Sequence, residues 1–402
     1  MAKTVRVLVI SDLHAVDDAS KFRSEVAMNY AQTGVPRALM NQSYTAVRDK
    51  FPDGVDLVVV AGDMTDKAGG SALVKVWDDL NWLAHQFSAP LVATSGNHDY
   101  DSRASQSLSP KQSLMSLDPP FPFGTKAGRD HYFAQEHAVF VDQHFAVVSA
   151  NSSAFHGYIP KGQEESEHGR FGEYLPGYIR ESLDALNDLP PFKIFLTHHH
   201  LNQLPGFDTE EVSSSRGHEA VLRTLSDYGD WVIVHGHKHR GWLQYGSGNG
   251  DAPPLISSSS FSADFGSGSF SDKVRHQFHV LELREDDGSF ADLNGQSGRI
   301  FSWTHSPLGW MEASASDDLP GVSGFGWKTN IWRLASVIRS EIVAKGVMEE
   351  ADIETFEPRL RFLTFDDQRR LIRYLSDGDP KVDVDVHSDG RVREIVLSTK
   401  TV

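Results

Sequence analysis

Along the first half of the chain, short apolar runs alternate with longer stretches in which apolar and polar residues mix. Val5–Ile10, Val55–Ala61, Pro90–Ser95, His144–Ala150, Phe192–Thr197 and Trp231–Val234 have the length and near-continuous apolar character of buried strands. Ala72–Gln86, Tyr178–Leu189 and Gly217–Tyr228 lie between several of them and read as helices. Strand, helix and strand in succession predict an α/β architecture with a central sheet. Residues 101–130, 152–177 and 201–216 are rich in Ser, Pro, Gly or charge and read as long loops, candidates for lids and specificity elements. Ser257–Ser260 reads as a further connection at the rim, and Gln277–Arg284 as a strand that closes the first domain.

The pattern then changes. Ile331, Leu334, Ala335, Ile338, Ile342 and Val343 recur at helical spacing within Trp327–Lys345. Phe365–Leu375 predicts a second helix, capped by Thr364 ahead of Asp366 and Asp367. Lys381–Val386 and Arg391–Leu397 alternate apolar and polar residues around Ser388-Asp389-Gly390, the pattern of a β-hairpin. The expected division is therefore a main domain over 1–305 and an α+β extension over 306–402. Trp327 and Trp332 are expected to pack against the main domain or a second subunit, which would make the extension a surface for homo-oligomer formation.

At 402 residues, with 39% hydrophobic and 23% charged residues, the chain has the size and composition to bury a large core unaided. Its lack of cysteine excludes disulfides, thiolate nucleophiles and thiolate metal sites. A metal here must be held by nitrogen and oxygen. The net charge of -17 argues against tracking along long nucleic acid, which calls for a basic face. The apolar run at the N-terminus is too short for a signal peptide core. No run approaches the roughly 20 apolar residues of a membrane span. Both point to a cytoplasmic protein with no membrane partner.

Five polar patterns follow apolar runs in order. They are Ser11-Asp12-Leu13-His14, Gly62-Asp63-Met64-Thr65-Asp66, Gly96-Asn97-His98-Asp99, Thr197-His198-His199-His200 and Gly236-His237-Lys238-His239. Singly, each has an ordinary reading as a capped turn, an Asx turn or a solvated loop. Together, at strand ends that converge on one edge of a sheet, they make a coherent site. Two cations roughly 3.5–4 Å apart need mixed carboxylate and imidazole ligands, and shared negative charge must lie between them. Such a set suits Mn, Fe or Zn better than Ca.

These motifs resemble the calcineurin-like metallophosphoesterase superfamily, whose signature runs D-x-H, G-D, G-N-H-D/E, H, G-H-x-H. The resemblance covers residues 5–285 and implies a β-sandwich flanked by helices. Carried over by position, it implies that Asp12, His14, Asp63 and His239 hold one metal, and that Asp63, Asn97, His198 and His237 hold the other, with Asp63 bridging. His198 is preferred over His199 because it directly follows its strand. His98 matches the histidine that assists the leaving oxygen, and Asp99 the acid that orients it. The implied reaction is attack on phosphorus by a metal-bridging hydroxide.

Met64-Thr65-Asp66 and Ser95 stand where the protein Ser/Thr phosphatase branch carries Asp-Arg-Gly and Arg. The motifs look more like those of class III cyclic-nucleotide and glycerophosphodiester phosphodiesterases, although His200 replaces the proline common there. The expected function is therefore phosphodiester hydrolysis on a small organic or nucleotide substrate. A nuclease or phosphomonoesterase on the same core is the alternative. A non-catalytic protein-binding scaffold is disfavoured because all seven ligand positions and His98 are kept. Of the remaining residues, His156, His168 and His218 are expected to be solvated, His235 to pack at a strand end, Trp242 and Tyr245 to form an aromatic rim, and Arg103 to be exposed.

Overall fold

The structure is a computed structural model that describes residues 3–20, 28–101, 109–158, 168–203, 214–246, 252–263, 275–285, 288, 290, 293 and 295–398. The first part of the chain forms β1 (Thr4–Ile10), α1 (Val35–Lys50), β2 (Leu57–Val60), α2 (Gly70–Phe87), β3 (Leu91–Ala93), α3 (Gln112–Met115) and α4 (Lys126–Gln135). There follow β4 (His137–Val141), β5 (Phe145–Ala150), α5 (Leu175–Asp184), β6 (Phe192–Leu196), α6 (His218–Ser226), β7 (Val232–His235), β8 (Trp242–Tyr245) and β9 (Pro254–Ser257). Next come β10 (Gln277–Arg284), β11 (Ser297–Ser306), β12 (Gly309–Glu312) and β13 (Val322–Phe325). The chain closes with α7 (Ile331–Lys345), β14 (Val347–Glu349), α8 (Glu350–Phe356), α9 (Phe365–Ser376), β15 (Val382–Val386) and β16 (Val392–Leu397).

Two sheets face each other. One runs β12-β11-β10-β1-β2-β3, with β13 also on β11; the other runs β4-β5-β6-β7-β9-β8. Alternation along the strands assigns each apolar residue to a layer. Val5, Val7, Val9, Leu57 and Val59 meet Phe145, Val147, Ile194 and Val234 between the sheets. Leu8, Ile10, Val58 and Val60 point the other way, onto Leu39 and Met40 of α1 and Leu73, Val76 and Trp77 of α2. Val148 and Phe195 turn outward onto Ile179 of α5 and Val221 of α6. The result is the expected sandwich flanked by helices. Strands covered on both faces read as unbroken apolar runs, which is why the sequence exposes them so clearly.

Several expectations are corrected. Residues 101–130 contain α3 and the first half of α4 rather than a continuous loop. The Ser257–Ser260 connection begins inside β9, which pairs in parallel with β7. The division at residue 305 falls within β11, and the sheet continues to take strands as far as Phe325, because β11 pairs with both β12 and β13. Beyond that point a separate apolar core collects Trp327, Ile338, Ile342, Leu371, Leu375 and Ile395. Thr364 caps α9 through its hydroxyl, which accepts from Asp367 N at 3.2 Å. Trp327 is buried in this core, whereas Trp332 is exposed. Among the described residues, no helix is long and apolar enough to cross a membrane.

Candidate metal centre

β1, β2 and β3 are parallel in one sheet, and β5, β6, β7 and β9 in the other. The five polar patterns leave these strands at one end of the sandwich. Backbone hydrogen bonds tie the departing loops together: Asp12 N to Gly62 O at 3.0 Å, His14 N to Asp63 O at 3.0 Å, Gly236 N to His198 O at 3.0 Å and Phe261 N to Ser11 O at 2.8 Å. Asp12, His14, Asp63, His237 and His239 all take positive φ, between 46° and 79°. For residues with side chains this conformation costs of order 1–3 kcal/mol each, and it clusters at functional sites. Two glycines make room for the turns. A Cβ on Gly96 would lie 2.1 Å from Asp63 Oδ1, and one on Gly236 would lie 2.0 Å from Ser11 Oγ.

Asp63 is central. Its Oδ1 accepts from His98 N at 2.8 Å. Its Oδ2 lies 3.4 Å from His14 Nε2 and 3.3 Å from His198 Nε2. Asp12 Oδ1 lies 3.4 Å from His239 Nε2, and the Asp12 carboxylate also accepts from His237 N. Asp12, His14, Asp63 and His239 therefore form one group whose ligand atoms lie within 4.8 Å of one another. His198, His199 and His237 form another. Asn97 Oδ1 is 3.2 Å from His198 Nε2 and so belongs beside the second group. The Ala61 carbonyl, 2.7 Å from His198 Nδ1, can only accept. It therefore fixes a proton on Nδ1 and leaves Nε2, which faces Asp63, as the nitrogen that exchanges a proton or meets a metal.

Electrostatics show what the group lacks. Burial lowers His14 to about 4 and holds His199, His237 and His239 well below the ordinary imidazole value. These rings are neutral, the form that binds metal. His198 differs: burial pulls it down, but the charge of Asp63 and its hydrogen bond outweigh that and lift it to about 9. Burial raises Asp12 to about 7, and the neighbouring Asp63 charge adds to the effect. Buried Nε2 atoms of His14 and His237 have no hydrogen-bond partner among the described residues. Crowded carboxylates, neutral imidazoles and unpartnered ring nitrogens are what divalent cations would satisfy. The donor set fits the ions.

The structure brings all seven expected ligands to this place and sets His98 beside them, its ring 4.6 Å from that of His14. It corrects the expected role of Asp99. That carboxylate accepts from Gly96 N at 2.9 Å and Thr65 N at 3.0 Å, so it braces the two turns. The acid facing the imidazole is Asp66, whose Oδ1 is 3.3 Å from His98 Nδ1. Burial opposes protonation of His98, but Asp63 and the Asp66 hydrogen bond prevail and raise its pKa. The signal for Asp66 was available in its spacing, three residues after Asp63.

His156 is likewise not solvated: it is buried and stacks on His199, ring centroids 5.4 Å apart. His199 and His200 are buried, and His235 is buried at the end of β7 as expected. Tyr245 packs, its hydroxyl accepting from Gly326 N at 2.8 Å. Arg103 lies outside the described residues.

Several solved structures resemble this one at low identity. A purple acid phosphatase from yellow lupin (Lupinus luteus) is 16% identical with a TM-score of 0.45, over 78% of this chain and 53% of that one. A putative 5'-nucleotidase from Staphylococcus aureus is 15% identical with a TM-score of 0.41, over 74% of this chain and 53% of that one. Zinc-complexed Vps29 from Entamoeba histolytica is 14% identical with a TM-score of 0.33, over 77% of this chain and 97% of that one. The chain thus spans about half the length of the phosphatase and of the nucleotidase. No curated protein matches the sequence. The model of the calcineurin-like phosphoesterase family matches residues 5–241. That span is more than half of the chain and takes in all five motifs, and the chain belongs to the calcineurin-like phosphoesterase family.

Proposed function

We propose that this chain is a phosphoesterase dependent on two divalent cations, acting on a small organic or nucleotide phosphodiester. The observation that carries the reading is the shared carboxylate, with Asp63 Oδ2 facing His14 on one side and His198 on the other. Asp12, His14, Asp63 and His239 would hold one ion, and Asp63, Asn97, His198 and His237 the other. When bound, the ions supply Lewis acidity and make water available as a nucleophile near neutral pH. Mixed imidazole and carboxylate donors suit Mn, Fe or Zn.

The remaining work falls to the chain. His98 has a third of its side chain exposed, so substrate can reach it. Its Nδ1 donates to Asp66, which leaves Nε2 to pass a proton to the departing alkoxide; such a transfer is typically worth about 10²–10⁴-fold. That step matters most for a poor leaving group. The diester preference is supported by Met64-Thr65-Asp66 and Ser95, which replace the residues of the protein phosphatase branch. The test is hydrolysis of paired chromogenic mono- and diesters with Mn²⁺, with Asn97→Ala as control. Diester turnover that the control loses is expected. Monoester turnover alone would remove the diesterase assignment, and turnover of neither would remove the enzyme.

A further inference from the structure

His199 is a buried histidine that the family-derived ligand set leaves without a task. Its main-chain N–H donates to Ser152 Oγ at 3.1 Å, and its Nδ1 lies 2.9 Å from the same hydroxyl. Gly169 packs close against it: a Cβ there would stand 2.4 Å from His199 Cβ, so only glycine fits over this side chain. The other ring nitrogen, Nε2, is buried and has no hydrogen-bond partner among the described residues. A buried ring nitrogen with no partner among the described residues is unfavourable, and a metal ion would satisfy it.

Two further imidazoles lie close to the ring. The ligand atoms of His198, His199 and His237 are all within 4.8 Å of one another. The His199 ring stands 4.4 Å from that of His237 and 4.9 Å from that of His198. His237 Nε2 is also without a partner. Nδ1–H donation to Ser152 would leave a lone pair on Nε2 available to an ion, the hydroxyl then orienting a metal-binding histidine through its other ring nitrogen.

We propose that His199 is a further protein ligand at the site of His198 and His237, completing a three-imidazole cage that prefers a late first-row divalent ion such as Zn²⁺. The proposal rests on the binuclear reading above. It makes the two sites unlike each other. The Asp12–His14–Asp63–His239 site is half carboxylate, whereas this one is dominated by nitrogen, and imidazole favours Zn over Mn where carboxylate does not.

The test uses the full chain, stripped with chelator and titrated with Zn²⁺ and with Co²⁺, whose visible spectrum reports coordination. Wild type should bind two ions. His199→Phe, which keeps the ring volume, should weaken one ion by more than the roughly 10–100-fold typical of a residue that only orients a ligand, and should alter the Co²⁺ bands of that ion alone. Ser152→Ala should weaken the same ion by about 10–100-fold. Two ions bound within about threefold of wild type by His199→Phe, with an unchanged Co²⁺ spectrum, would overturn the proposal. Loss of both ions in His199→Phe would leave the decision to Ser152→Ala: selective weakening supports the ligand, and no change overturns it. Absence of metal binding by wild type would instead sink the binuclear reading, independently of any variant.

Discussion

At the scale of single residues, the site separates groups that would hold metal from groups that act on the substrate. His98→Ala should retain both ions and lose about 10²–10⁴-fold in turnover on poor leaving groups, with little loss on activated esters. Metal analysis beside kinetics checks this, and loss of metal would make His98 a ligand. Asp66→Asn removes a group that raises the His98 pKa. A general acid works while protonated, so activity is lost as pH rises through its pKa. The variant should therefore move the alkaline limb of the kcat profile to lower pH; an unmoved limb would contradict the pairing. Asp99→Ala should behave differently, weakening metal binding by unbracing the Gly96 and Thr65 turns. The ligand residues were legible because each follows an apolar run and carries donor chemistry. The roles of Asp66 and Asp99 were harder to read, because Asp99 adjoins His98 in sequence whereas Asp66 lies 32 residues away and reaches the ring only through the fold.

At the scale of elements, the parallel strands were legible for a simple reason: cover on both faces leaves them continuously apolar. Helix α1 carries a weaker signal, since its buried residues Leu39, Met40, Ser43 and Val47 are interspersed with Asn41, Gln42, Arg48 and Lys50. The edge strand β8 is half-exposed throughout, and no unbroken apolar run marks it. In the C-terminal core, the caps and helical spacing were clear enough to place α7 and α9. Thr364→Ala removes a cap and should cost about 1 kcal/mol. Chemical denaturation would show it, and an unchanged midpoint would mean that the hydroxyl contributes nothing.

At the scale of the molecule, this fold buries neutral histidines away from the metal centre. His137 lies between the Gln135 carbonyl and the Ser182 hydroxyl, and burial lowers it to about 4. Burial lowers His279, bonded to Ser302, to about 3. The unfolded chain binds protons at these positions before the folded one does, so stability rises with pH. It should fall as pH drops from about 6.5 through 4, and denaturant midpoints across that range should decline; a flat profile would contradict the assignment. The domain division is harder to read than either, because β12 and β13 extend the main sheet past the point where sequence character changes. The most direct test of the whole account is reconstitution. Chelator-stripped protein is titrated with Mn²⁺ or Zn²⁺ while bound ions and phosphodiester hydrolysis are measured together. Activity absent from the stripped chain and rising to a plateau at two bound ions per chain is the predicted result. Hydrolysis indifferent to chelation, or absent with both ions bound, would contradict it.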